Sequence, residues 1–208
     1  MRYLGIVIDN IKTSYDVIRE LKRMKIPFTL IKVGDPVPVH ISALILCEMV
    51  PLQGYKAAVS YDGNARRTVL RAMGASAGRE RFGLVVVGID PGECTGIAII
   101  ADGELLEAYT VKGLALKQEV QEVIEIFPAE RFLFRIGRGG VSEEIIARLR
   151  RDPRVRLEFV VEVKRKLPPM FLRKGLRKDA KSALIIALSG KGYNDSAQSC
   201  RGAKFDQA

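Results

Sequence analysis

Apolar positions in this chain fall into two kinds of stretch: short runs of strand length, and segments with an apolar residue every three to four positions. Tyr3–Ile8 is an apolar run that predicts a strand. Val17, Ile18 and Leu21 fall at helical spacing within Tyr15–Met24, and Ser14 stands where an N-cap belongs. Pro27–Val33 predicts a second strand, Pro36 and Pro38 break the chain, and Ala43–Val50 fits strand or helix by pattern alone. Ala57–Ser60 reads as a short strand and Ala65–Met73 as a helix. This succession predicts a small parallel α/β unit over residues 1–75, with a boundary in the small residues Gly74-Ala75-Ser76-Ala77-Gly78.

A second unit is expected over residues 83–192. Leu84-Val85-Val86-Val87-Gly88-Ile89-Asp90 has the unbroken apolar character of a strand buried on both faces. Gly96–Ile100 and Leu105–Val111 flank Asp102-Gly103, a pair that favours a tight hairpin. Leu116, Val120, Val123, Ile124 and Phe127 lie at helical spacing and Pro128 stops that helix. Phe132–Ile136 predicts a fourth strand, Ser142–Arg151 a helix, Val155–Val163 a fifth strand and Ala180–Leu188 a last helix. The order β-β-β-α-β-α-β-α predicts one mixed five-stranded sheet with Leu84–Asp90 central and Phe132–Ile136 beside it. Residues 193–208 read as a polar tail.

Charge sharpens the picture. The net charge is +10. Residues 131–181 carry 16 Lys/Arg against 6 Asp/Glu, so the whole excess lies in that quarter of the chain. An excess so confined points to a polyanion partner, a nucleic acid, more than to a merely solubilising surface. No apolar run reaches membrane-spanning length, and the start turns acidic too soon for a signal peptide. Cys47, Cys94 and Cys200 show no metal-ligand spacing, which fits a reducing cytoplasm. Few Asn and Gln beside many Glu, Lys and Arg point to a thermophilic source. His40 and Asp9 read as structural.

The segment with most chemical content is Gly88-Ile89-Asp90-Pro91-Gly92-Glu93-Cys94-Thr95-Gly96-Ile97-Ala98. It sets a carboxylate at the end of a buried strand, followed by a glycine turn and a returning strand. A buried carboxylate is costly unless it is paired or binds a cation. The alternative is an Asp that caps its own turn. Asp179, near the start of the last helix, has the same two readings: a routine cap that favours the helix dipole, or a ligand. Gly137-Arg138-Gly139-Gly140 runs from a strand into a helix. With Arg135 and Arg138 it reads either as a phosphate cradle or as a tight turn. Met170, Phe171 and Leu172 interrupt the basic run and read as core rather than as side chains that stack on a base.

The Asp90 segment resembles the first strand and turn of the RuvC and YqgF branch of the ribonuclease H-like nucleases. The likeness covers residues 83–192 only. It implies a nucleic-acid-binding protein of the Mg-dependent nuclease type, acting on structured DNA or RNA, with phosphodiester hydrolysis as its reaction. It implies Asp90, Asp179 and Glu162 as catalytic residues, Asp90 and Asp179 as ligands of Mg²⁺ or Mn²⁺, and a possible homodimer. Arg135, Arg138, Lys164, Arg165, Lys166, Arg173, Lys174, Arg177, Lys178 and Lys181 would then hold the nucleic acid.

Departures from the family pattern leave alternatives open. The fourth strand, Phe132-Leu133-Phe134-Arg135-Ile136, carries no acid, and Ser182 stands where the resolvases have a second Asp on the last helix. Glu162 matches inexactly. Two ions about 4 Å apart usually need three or four carboxylates, so Glu162, Glu93, Glu143 or Glu144 would have to complete the site. The first alternative is a catalytically degenerate ribonuclease H-like module that only binds nucleic acid. The second is nucleotide binding of the actin-like or sugar-kinase type, which needs two such halves where one is visible.

Overall fold

A computed structural model describes residues 3–8, 11–47, 57–161, 166–171 and 175–189. The chain divides into two compact units. One is formed by the chain up to Phe82 with Val123–Ala129, the other by Gly83–Glu122 and the chain from Glu130.

The first unit contains β1 (Tyr3–Ile8), α1 (Ile11–Met24), β2 (Phe28–Lys32), β3 (Ile41–Leu46), β4 (Ala58–Ser60) and α2 (Ala65–Ala75). Its sheet runs β2-β1-β3-β4 with every pairing parallel. The central β1 is buried at four consecutive positions, as a strand covered on both faces must be. Val7, Ile31, Leu44 and Leu46 form one cluster in its core. The sequence reading needs two corrections here. Ser14 does not cap α1 but lies inside it, fully buried. Gly74 is not in a linker but buried within α2, which runs to Ala75.

The second unit follows the expected element order. It contains β5 (Val85–Asp90), β6 (Cys94–Ala101), β7 (Glu104–Lys112), α3 (Leu116–Ile126), β8 (Phe132–Ile136), α4 (Glu143–Arg151), β9 (Val155–Phe159) and α5 (Lys178–Leu188). The last turn of α3 groups with the first unit. The sheet order is β7-β6-β5-β8-β9. The β5–β6 and β6–β7 pairs are antiparallel, and the β5–β8 and β8–β9 pairs parallel. The mixed five-stranded sheet with β5 at its centre is thus as predicted. The hairpin signal holds in detail: Asp102 and Gly103 have φ of 46° and 86°, which the Asp-Gly pair tolerates. The Asp102 carboxylate also accepts from the Gly83 and Leu84 N–H groups.

Helix α5 packs across the sheet. Ala183, Leu184, Ala187 and Leu188 bury against Val86, Ala98, Ile100, Leu105 and Phe171. Burying each leucine contributes about 1.5–3 kcal/mol, and the alanines let the helix backbone approach the strands. β9 ends at Phe159, short of the expected Val163, and residues 162–165 lie outside those described. Among the described residues no helix is long and apolar enough to cross a membrane.

Candidate functional site

The site begins where β5 ends. Side chains alternate along a strand, so Gly88 and Asp90 share one face of the sheet. Asp90 pairs with Gly96 of β6, and directly opposed residues of an antiparallel pair also share a face. Helix α5 covers that face. A Cβ built on Gly88 would lie 2.1 Å from the Ala183 carbonyl oxygen and 2.7 Å from the Ala187 Cβ. One built on Gly96 would lie 2.1 Å from the carbonyl oxygen of Asp179 and 3.1 Å from the Ala180 nitrogen. The two glycines are therefore the floor on which α5 rests. Its first turn stands over Gly96, beside Asp90, so the topology brings Asp90 and the Asp179 backbone to one corner. Both residues are half-buried, and Asp90 has an interaction partner of its own.

No third carboxylate joins them among the described residues, where no group of three His, Cys, Asp or Glu is placed to hold a metal ion. Gly88 pairs with Arg135 and Ile89 with Ile136, and the Gly137 N–H donates to the Ile89 carbonyl at 2.9 Å. The β8 neighbour of Asp90 is therefore Gly137, which has no side chain to contribute. A Cβ there would meet Ile186 Cδ1 at 2.6 Å. Glu93 and Glu143 are exposed, and Glu144 is bonded to Lys117. Glu162 lies outside the described residues.

Arg135 is the clear correction. It was expected on a nucleic-acid surface, yet it is 2% exposed. Its Nε donates to Glu158 at 3.0 Å and its Nη1 to the Ala187 carbonyl at 2.6 Å. Arg135 and Glu158 are cross-strand partners on the α5 face, and Ala187 lies in the last turn of that helix. The guanidinium thus satisfies a carbonyl that a helix end leaves without a partner, and its charge suits the negative end of the helix dipole.

The glycine loop has the backbone of a tight turn. Gly139 and Gly140 have φ of 108° and 66°. The first turn of α4 carries Glu143 and Glu144, whose charge suits the positive end of the helix dipole. Arg138 is exposed in this loop, whose Gly139 lies alongside Pro91.

Of the remaining expected basic residues, Lys166, Arg177, Lys178 and Lys181 are exposed. Lys164, Arg165, Arg173 and Lys174 lie outside the described residues. Phe171 is core as expected, but Met170 is 77% exposed, and Leu172 is outside. One basic residue was missed. Lys112 ends β7 opposite Cys94 and is exposed. It lies two positions past Thr110, which pairs with Gly96, so it shares the face of Asp90. A regular count from the Asp102-Gly103 turn would put Lys112 on the other face, and the register shift between Ile99 and Ile100 brings it to this one. A scan against protein-family models finds no match for this chain, and a search of curated proteins finds no relative.

Proposed function

We propose that the second unit is a nucleic-acid-binding domain of the ribonuclease H-like kind, with a divalent-cation site at the Asp90–Asp179 corner. The observation that carries the reading is the seating of α5. Glycines at 88 and 96 let the helix settle on the sheet, with the Asp179 backbone over Gly96, the cross-strand neighbour of Asp90. The strand order β7-β6-β5-β8-β9, antiparallel on one side of β5 and parallel on the other, supports it too. The donors fit Mg²⁺ or Mn²⁺: carboxylate oxygens are hard ligands, and two suffice for one ion that keeps water and substrate phosphate. Bound there, the ion would polarise a phosphodiester. Arg138, Lys112, Arg177, Lys178 and Lys181 would hold the backbone around it.

A second reading, a binding module without hydrolysis, is favoured by Gly137, which leaves the place beside Asp90 without an acid. One experiment separates them. Mg²⁺ or Mn²⁺ should raise the melting temperature of the parent protein, because a ligand of the folded state alone stabilises it. Asp90→Asn should abolish that rise. Metal-dependent cleavage of branched or single-stranded substrates, lost in Asp90→Asn, marks the nuclease; binding without cleavage marks the module. Absence of both metal stabilisation and nucleic-acid binding ends the proposal.

A further inference from the structure

The geometry points to β9 as a self-pairing edge, through which two copies of this chain join their five-stranded sheets into one antiparallel sheet across a two-fold axis at Leu157. β9 is last in the strand order, and among the described residues nothing pairs with its outer side. An open edge of this kind is a template for another strand. The feature that selects the partner is the charge pattern of the edge itself.

Backbone direction comes first. Phe132 N–H donates to the Arg154 carbonyl, and Val160 N–H to the Ile136 carbonyl. The even-numbered residues of β9 therefore turn their backbone groups inward to β8. Val155, Leu157 and Phe159 turn theirs outward. A two-fold axis between antiparallel strands can pass through a hydrogen-bonded residue pair, and only an odd-numbered residue offers one here. With the axis at Leu157, each Leu157 exchanges both bonds with its copy, and each Phe159 N–H meets the partner strand's Val155 carbonyl. Val155 N–H is already given to Asp152, so the ladder closes with four bonds.

Side chains agree with that register. It sets Arg156 opposite Glu158 of the second copy, in the closer, non-hydrogen-bonded position where opposite charges help most. It sets Val155 opposite Phe159 and Leu157 opposite itself. Moving the axis to Val155 would oppose Arg156 with Arg154. Moving it to Phe159 would leave Glu158 facing Val160. Only the Leu157 axis pairs both charges and matches every apolar residue with another. The edge is also unusually apolar for an open one: Phe159 is 58% and Val161 56% exposed. Arg156, 79% exposed, is paired with its own Glu158 at 3.1 Å, and in the joined sheet it exchanges that carboxylate for the partner strand's. An isologous, self-complementary contact is the commonest way for identical chains to associate.

The test uses the full chain. Sedimentation equilibrium over roughly 1–100 μM, which spans dissociation constants of modest interfaces, should show a reversible dimer. Leu157→Lys puts like charges face to face on the axis, and Arg156→Glu opposes two acids. Each should weaken dimerisation about ten-fold or more while circular dichroism and melting of the monomer stay close to the parent. Leu157→Cys supplies a positive reading. Its copy lies at a Cα separation of about 5.5 Å, within disulfide range, so mild oxidation should cross-link it above the parent's baseline. Phe159→Cys, about 13 Å from its own copy by strand rise, should not cross-link above that baseline. A parent monomeric throughout, a dimer indifferent to both charge variants, or equal cross-linking at 157 and 159 would each overturn the pairing.

Discussion

Arg135 in the middle of β8 reaches the carbonyl oxygen of Ala187, 52 residues later in the last turn of α5, and tethers the end of that helix to the sheet. The same guanidinium holds Glu158 of β9. One side chain thus links two strands and the helix whose other end carries Asp179. Arg135→Met should lower stability by about 1–3 kcal/mol, because it leaves a helix-end carbonyl unsatisfied and takes away one of the two cations on Glu158, which keeps Arg156. Arg135→Lys should recover only part of this, since an ammonium lacks the planar fork. Urea unfolding of both variants checks it, and a midpoint unchanged in Arg135→Met would show that the tether is idle.

Gly96 and Gly140 make a matched pair for testing the seat of α5. Alanine at 96 would collide with helix backbone, which cannot swing aside as a side-chain tip can, so α5 has to move. Alanine at 140 meets nothing within 4 Å and suffers only from its φ of 66°. Gly140→Ala should cost about 1 kcal/mol from the left-handed backbone, and Gly96→Ala about 1–3 kcal/mol or more from overpacking. Gly96→Ala should also weaken metal stabilisation by displacing Asp179, which Gly140→Ala should leave intact. Thermal melts with and without Mg²⁺ measure both effects.

Much of this was readable in the sequence because local pattern and tertiary role coincide. The unbroken apolar run ending in Asp90 could only be a central strand, and Asp102-Gly103 fixed the hairpin. Arg135 misled for the opposite reason. A basic residue in a basic segment looks like surface, and only the register, which sets it opposite Gly88 under α5, reveals that it is buried. The glycines behaved similarly. Gly139 and Gly140 have the positive φ of turn glycines, whereas Gly88, Gly96 and Gly137 allow close approach, which no local pattern encodes. Ser14 preceded the expected helix but lies within it, because α1 begins a turn earlier.

Acid should unsettle the first unit at α2. The Asp62 carboxylate accepts from the Asn64 N–H, the Arg67 Nε and the Thr68 hydroxyl, fixing the entry to that helix. Burial alone would raise its pKa. The Arg67 and Asn64 hydrogen bonds, the Arg67 charge and the Thr68 hydroxyl outweigh that and hold it below the ordinary value. A depressed folded-state pKa contributes stability that is full above the unfolded value near 3.9 and is lost as pH falls through the folded value. Asp62→Asn should therefore be less stable than the parent at neutral pH, with the difference shrinking below about pH 4. Melting temperatures from pH 7 to 3 (an about-4 crossover window) test it, and a gap that stays constant would assign the loss to packing instead.

The basic residues should sort by exposure. Arg138, Lys178 and Lys181 are exposed, so on the proposed reading each neutralises a phosphate from solvent. Removing a phosphate contact lowers affinity for every sequence alike and reduces the salt slope by about one per contact. Lys112, missed by composition because it lies outside the basic quarter, should behave in the same way if its place on the Asp90 face sets its role. Arg135 should not, because its charge is already taken up by Glu158 and the Ala187 carbonyl. Alanine variants at 112, 138, 178 and 181, titrated on one duplex and one single strand from low to physiological salt, provide the comparison, with a conformationally intact Arg135 variant as control. A parent with a flat salt response would deny the polyanion surface. Equal loss from the Arg135 variant would mean that affinity follows the position of α5 rather than the charges around Asp90.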